Sequence, residues 1–231
     1  MASITAAGMK IFSGQAPVGV RANPDEDEVD RAAWEFFPAL REANLPHGFS
    51  LRASAEHPPP VRALGIDSDS IVEAEQPHGN AIAFVDNPKL RFYPGVDGLL
   101  TACRSVTLKI RVADCAAVYL FDPEIPAIGL VHSGRRGSGA RIVERAIEGF
   151  RRRWGSPAER LIVQISPCIR PPHYEVDFAE QIREQALALG VRSLFDCGIC
   201  TACHLDRYFS YRAEKGKTGR MWAVAMLPPK P

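Results

Sequence analysis

The stretch from Val106 to Val131 constrains the fold more than any other part of the chain. Val106, Leu108, Ile110 and Val112 alternate with Thr107, Lys109 and Arg111, a period of two that predicts a half-buried strand. It runs straight into Ala113-Asp114-Cys115. Two further apolar runs, Ala116 to Phe121 and Ala127 to Val131, are parted by the turn Asp122-Pro123-Glu124 and read as consecutive antiparallel strands. Cys115 and His132 therefore fall at the edges of sheet elements.

The rest of the chain supplies helices and more strands. From Ala140 the residues Ile142, Val143, Ala146, Ile147 and Phe150 follow helical spacing, with Gly155 as the stop. Asp177 with Glu180 resembles a capping box for a second helix that ends against Gly190. A further helix is predicted near the start: Asn23 as its cap, Pro24 in its first turn, Asp25 to Glu28 favouring its positive end, and Ala32, Trp34, Phe36, Phe37 and Leu40 as its buried face. Ile71 to Glu75, Leu161 to Ile165 and Met221 to Leu227 read as strands. Strands and helices mix without strict alternation, so the expected class is α+β, layered mixed β-sheets with flanking helices, rather than a doubly wound sheet. The Pro-rich run Ala53 to Pro60 must be extended and marks a weak join.

Bulk properties exclude several function classes. With 28 basic against 27 acidic residues, the chain lacks the charge excess on which nucleic-acid or membrane-surface binding rests. No apolar run reaches the length needed to span a bilayer, and no secretion signal is read in Met1 to Phe12. The expectation is a cytoplasmic chain whose six cysteines are thiols, metal ligands or catalytic groups rather than a disulfide framework.

Three residues attract attention as chemistry. His78 lies in Gln76-Pro77-His78-Gly79-Asn80, a tight turn after a strand, and Cys115 and His132 follow far downstream. That spacing is too wide for a compact zinc finger, and each residue alone also reads as a turn histidine or a small buried thiol. The segment Ser133-Gly134-Arg135-Arg136-Gly137-Ser138-Gly139, between a strand and the Ala140 helix, looks like a phosphate site built from amides, a helix N-terminus and two guanidinium forks. A plain flexible turn with solvated arginines would read the same way.

Taken together the motifs resemble a known family. Gln76-Pro77-His78-Gly79-Asn80, Val96-Asp97-Gly98-Leu99-Leu100-Thr101, Ala113-Asp114-Cys115, Val131-His132-Ser133-Gly134-Arg135-Arg136-Gly137, Tyr174-Glu175-Val176, Cys200-Thr201, Phe209-Ser210-Tyr211-Arg212 and Thr218-Gly219-Arg220 stand in the order expected of laccase-domain proteins of the YfiH type. The resemblance runs from about Phe49 to the C-terminus. It implies one YfiH-like domain over residues 1–231, with a divergent segment of about residues 1–48. It also implies a zinc-binding purine nucleoside enzyme that phosphorolyses adenosine, inosine and methylthioadenosine and deaminates adenosine, with phosphate as co-substrate. Carried over, the metal ligands and catalytic residues fall on His78, Cys115 and His132, and substrate or phosphate binding falls on Arg52, Arg136, Gly134 and Gly137. The sequence departs from the family where Arg135 replaces a usual tryptophan and where Arg52-Ala53-Ser54 replaces a glycine-bearing loop. A monomer or small homo-oligomer acting on a small nucleoside, with no nucleic-acid or membrane partner, is expected.

Other readings use the same residues. Six histidines are too few for a full multicopper centre, although one copper suits the two-histidine, one-cysteine set and keeps a laccase-like polyphenol oxidase in view. Cys115 with a histidine base describes a cysteine hydrolase, and the altered loop admits an inactive binding protein. Cys200-Thr201-Ala202-Cys203-His204, with Cys197 before it, matches c-type haem attachment or a second metal site, but thiols without a role are the favoured reading.

Overall fold

The computed structural model describes residues 32–52 and 61–228. Within these residues twelve strands form two six-stranded mixed sheets. In the first, the order is β1 (Trp34–Glu35), β2 (His47–Ser50), β12 (Met221–Met226), β7 (Thr107–Val112), β3 (Ile71–Ala74) and β5 (Phe92–Tyr93). In the second it is β11 (Ser193–Asp196), β10 (Ile162–Ile165), β8 (Ala116–Asp122), β9 (Ala127–Ser133), β6 (Gly98–Thr101) and β4 (Ile82–Phe84). This is the expected layered α+β class.

The central strands β8 and β9 of the second sheet are buried on both faces, and their period of two sorts their side chains. Ala117, Tyr119, Phe121, Ile128 and Leu130 join Leu108 and Ile110 of the first sheet in one core. Ala116, Val118, Leu120 and Val131 point the other way, onto the helices at Ile142–Trp154 and Phe178–Ala188. The layers are thus sheet, sheet and helices. The Ile142–Trp154 helix carries the predicted apolar stripe and stops at Gly155, whose φ of 69° suits a residue without Cβ. Asp177 caps the other helix by accepting the Glu180 N–H. Among the described residues no helix is long and apolar enough to cross a membrane.

Two expectations are corrected. The helix expected to run to Leu40 stops early: among the described residues Ala32 is helical, Ala33 turns, Trp34–Glu35 is a strand paired with Phe49 and Ser50, and a separate helix α1 spans Pro38–Glu42. Proline has no N–H to continue a helix and clashes with the preceding turn, so Pro38 starts a helix instead of lying inside one. Trp34 and Phe37 then enter different apolar clusters. The portion from Asn23 to Arg31, like the Ala53 to Pro60 join, lies outside the described residues. Second, β7 is not half-buried: Thr107 and Lys109 on its other face are covered too. Lys109 keeps its charge by pairing with Glu73 at 2.6 Å and lying 3.5 Å over the Trp222 ring, the partners a buried ammonium requires.

Candidate metal centre

Three backbone devices aim His78, Cys115 and His132 at one point. His78 follows β3 in a turn where both Gln76 and His78 adopt positive φ, 66° and 64°. Cys115 sits between β7 and β8, directly after Asp114, whose φ is 86°. His132 lies in β9, opposite Ala117 of β8. The ligand atoms of the three residues fall within 4.8 Å of one another, and among the described residues they are the one His, Cys, Asp or Glu group so arranged. The two imidazoles meet edge to face at 4.7 Å.

Asp97, at the approach to β6, organises this group. It is fully buried, and Oδ1 accepts from His132 Nδ1 at 2.8 Å and from the His78 N–H at 2.9 Å. Oδ2 takes the Gly79 N–H at 2.7 Å, and the Asp97 carbonyl takes the His132 N–H at 2.7 Å. With Nδ1 held by Asp97, His132 turns Nε2 to the centre, the nitrogen it would offer to an ion on giving up its second proton. Burial alone would raise the Asp97 carboxyl, but the His132 hydrogen bond and the two amides hold it below its usual value. Burial also pushes the Cys115 thiol up, yet hydrogen bonds with His132 and His78 outweigh that and bring it to about 7. His132, which burial would lower, is raised to about 9 by Asp97 and Cys115.

The donor chemistry fits a metal ion. Donors at about 2.0–2.3 Å from a tetrahedral ion stand roughly 3.3–3.8 Å apart, so ligand atoms within 4.8 Å of one another close on one ion by side-chain shifts of up to about 1 Å. A thiolate, a tautomer-locked histidine and an exposed histidine make a three-ligand set that leaves a fourth position open.

This centre forms part of the wall of a cleft of about 1310 Å³. Arg111, Arg135, Arg136, Arg212 and Arg220 line it, together with Tyr174, Phe178 and Tyr211. Arg135 and Arg212 share Glu175, at 3.0 and 3.1 Å. Asp114 ties the cleft together: its carboxylate accepts the Thr201 hydroxyl and the Arg212 N–H, both at 2.7 Å.

The predicted binding residues divide. Arg136 lines the cleft. Arg52 does not; it pairs with Glu214 at 2.7 Å and lies over Phe209, while Glu214 holds the Ser210 N–H and the Thr218 hydroxyl. Its guanidinium therefore braces the loop that carries Tyr211 and Arg212. Gly134 and Gly137 serve close approach: a Cβ on Gly134 would lie 2.3 Å from Cys115 Sγ, and one on Gly137 would lie 3.2 Å from the Gly79 carbonyl oxygen. The expected turn before the Ala140 helix is itself a helix, Arg135–Gly139, and the long helix starts only after Arg141. The macrodipole of five residues is small, so the positive potential there comes chiefly from arginines. Cys197, Cys200 and Cys203 do not converge as metal ligands, which corrects that alternative.

Asp97 and Asp114 were not singled out from sequence. The available signal was one carboxylate before an apolar run in each case: Asp97 ahead of Gly98-Leu99-Leu100, and Asp114 ahead of Cys115-Ala116-Ala117.

The chain matches the family described as multi-copper polyphenol oxidoreductase laccase over residues 60–182 and 176–228. It belongs to that laccase-domain family. A Deinococcus radiodurans relative of this family, named purine nucleoside phosphorylase, is 32% identical over 242 residues, covering 83% of this chain and 93% of the relative. Two solved structures share the laccase-domain fold. YlmD from Geobacillus stearothermophilus superposes with a TM-score of 0.79 at 24% identity, covering 85% of this chain and 97% of that one. The hypothetical protein YfiH from Bacillus licheniformis gives 0.78 at 21% identity, covering 87% and 98%.

Proposed function

We propose that this laccase-domain protein is a metal-dependent purine nucleoside phosphorylase acting on adenosine and inosine, methylthioadenosine included, with adenosine deamination as a second reaction. The observation that carries the reading is the convergence of His78, Cys115 and His132 at the wall of an arginine-lined cleft. Among relatives, the name purine nucleoside phosphorylase recurs. His78, Cys115 and His132 would hold one ion, zinc by donor type with copper as the alternative. Bound there, zinc supplies a Lewis acid at neutral pH.

The protein's own groups do the rest. Arg136, which lines the same cleft as His132 without a side-chain partner among the described residues, binds inorganic phosphate, and Arg135 and Arg212 hold the Glu175 carboxylate. Phe178, Tyr174 and Tyr211 offer apolar faces to a purine. In phosphorolysis a phosphate oxygen forms the bond to the ribose anomeric carbon as the glycosidic bond breaks, and the purine leaves with a proton. In deamination water displaces ammonia from the purine ring. Asp97 acts as a positioning residue through His132.

One observation also favours a second reading. Cys115 Sγ lies within 4.8 Å of a His132 ring nitrogen, and His132 Nδ1 is hydrogen-bonded to Asp97, the series of nucleophile, base and orienting group of a cysteine hydrolase. The two readings separate in one experiment on protein purified without metal-affinity resin. Zinc near one equivalent, ribose 1-phosphate formed from adenosine or inosine with phosphate, and loss of both metal and turnover in Cys115→Ala support the phosphorylase. Metal-free protein inactivated by thiol alkylation supports the hydrolase, and full nucleoside turnover in Cys115→Ala overturns the phosphorylase.

A further inference from the structure

Outside the candidate metal centre, four cysteines stand around Thr201. Cys168, Cys197, Cys200 and Cys203 are all free thiols, but they differ in access. Cys168 is fully buried, and burial raises its thiol well above the ordinary value. Cys197 is pushed up to about 11, again by burial. Cys203 is exposed and Cys200 half-buried.

Cys200 and Cys203 flank the single turn Thr201–Cys203, closed by the Cys203 N–H donating to the Cys200 carbonyl at 3.2 Å. A turn of this kind holds the first and fourth Cα atoms within about 7 Å, and a disulfide needs Cα atoms about 4.4–6.8 Å apart. The neighbouring Cys200 side chain raises the Cys203 thiol above its usual value. The turn is anchored on both sides: the Thr201 N–H donates to the Cys168 carbonyl at 3.1 Å, and the Cys168 N–H donates to the Ile199 carbonyl at 3.2 Å. Between the two cysteines, the buried Thr201 hydroxyl donates to Asp114 Oδ1 at 2.7 Å, and Asp114 is the residue that delivers Cys115.

We propose that Cys200 and Cys203 form a redox-active dithiol site that exchanges with small disulfides, and that its state is transmitted to the Cys115 loop through Thr201 and Asp114. In the exchange the exposed Cys203 sulfur attacks the small disulfide, forming a mixed disulfide and releasing one thiol. Cys200 then attacks the Cys203 sulfur, closing the protein disulfide and releasing the second thiol. The protein loses two electrons and two protons, and the small disulfide gains them. Closing the bond tightens the turn and shifts the Thr201 hydroxyl against Asp114.

The test equilibrates the full chain, as purified, in mixtures of reduced and oxidised glutathione, followed by acid quench, alkylation and peptide mass mapping. A graded Cys200–Cys203 crosslink with the oxidised fraction is expected, with Cys168 and Cys197 still reduced. Crosslinking to Cys168 or Cys197 instead, or full reduction at every ratio, overturns the site. For transmission, the alkylation rate of Cys115 is compared between the two forms. A severalfold change in the wild-type chain, absent in Cys203→Ser, is expected; equal rates in both forms overturn the coupling. Neither readout depends on nucleoside turnover.

Discussion

A Cβ placed on Gly134 would stand 2.3 Å from the Sγ of Cys115. The contact follows from register: β8 and β9 pair Ala116 with Ser133, so the next residues outward, Cys115 and Gly134, face each other at the strand ends. No side chain fits there without displacing the sulfur. Gly134→Ala should therefore lose stoichiometric metal while the fold is destabilised by only about 1–3 kcal/mol, the usual cost of overpacking. Elemental analysis beside a denaturant melt checks this; full metal content in the variant would contradict it.

Asp97→Asn tests the carboxylate behind His132. An amide offers one acceptor where three donors now converge, and its NH₂ faces an N–H. Metal affinity should fall about 10–100-fold, the usual effect of removing a partner behind a ligating histidine. Competition with a chelator measures it, and unchanged affinity would show that the carboxylate does not orient the ligand.

Arg136→Ala should raise the phosphate KM of phosphorolysis and spare adenosine deamination, which uses no phosphate. Losing one charge-assisted hydrogen bond of about 1.5–3 kcal/mol corresponds to roughly a 10–100-fold change. Equal losses in both reactions would place Arg136 on the nucleoside or in the fold instead.

His47 sets a pH window for stability. Burial lowers its pKa from 6.5 to about 4, against the raising effect of the Leu45 carbonyl. Its Nε2 accepts the Phe37 N–H at 2.8 Å and its Nδ1 meets the Leu45 carbonyl, so a second proton would break the Phe37 bond. The neutral ring is favoured in the fold, and the unfolded chain takes up the proton first. This contribution is complete above pH 6.5 and is lost as pH falls towards 4, by up to about 3 kcal/mol. The difference between denaturant melts of wild type and His47→Gln across that range should show the loss; parallel curves would contradict it.

Much of the architecture was legible in the chain. The period of two in Val106 to Val112 and the runs to either side of Asp122-Pro123-Glu124 are local patterns, and each became a strand at nearly the stated limits. The Ile142–Trp154 helix and the Asp177 cap were equally local. The first helix was carried too far, past Ala32, because the apolar spacing of Trp34, Phe37 and Leu40 satisfies a helix as well as a strand followed by a turn, and only pairing with β2 and the two separate clusters decide between them.

The metal centre shows the same division. Its candidate ligands were named through resemblance, since His78, Cys115 and His132 are too far apart in sequence for spacing to reveal them. Their convergence depends on cross-strand register and on three left-handed backbone positions, which are set by long-range packing. The same holds for Asp97, whose role exists only once His78, Gly79 and His132 surround it. The pairing of Arg52 with Glu214, 162 residues away, is likewise invisible in the sequence. Sequence determined which strands and helices form, because hydrophobic period and capping act within a few residues; tertiary structure alone decided which carboxylates, sulfurs and guanidinium groups meet, because those contacts join segments that only folding brings together.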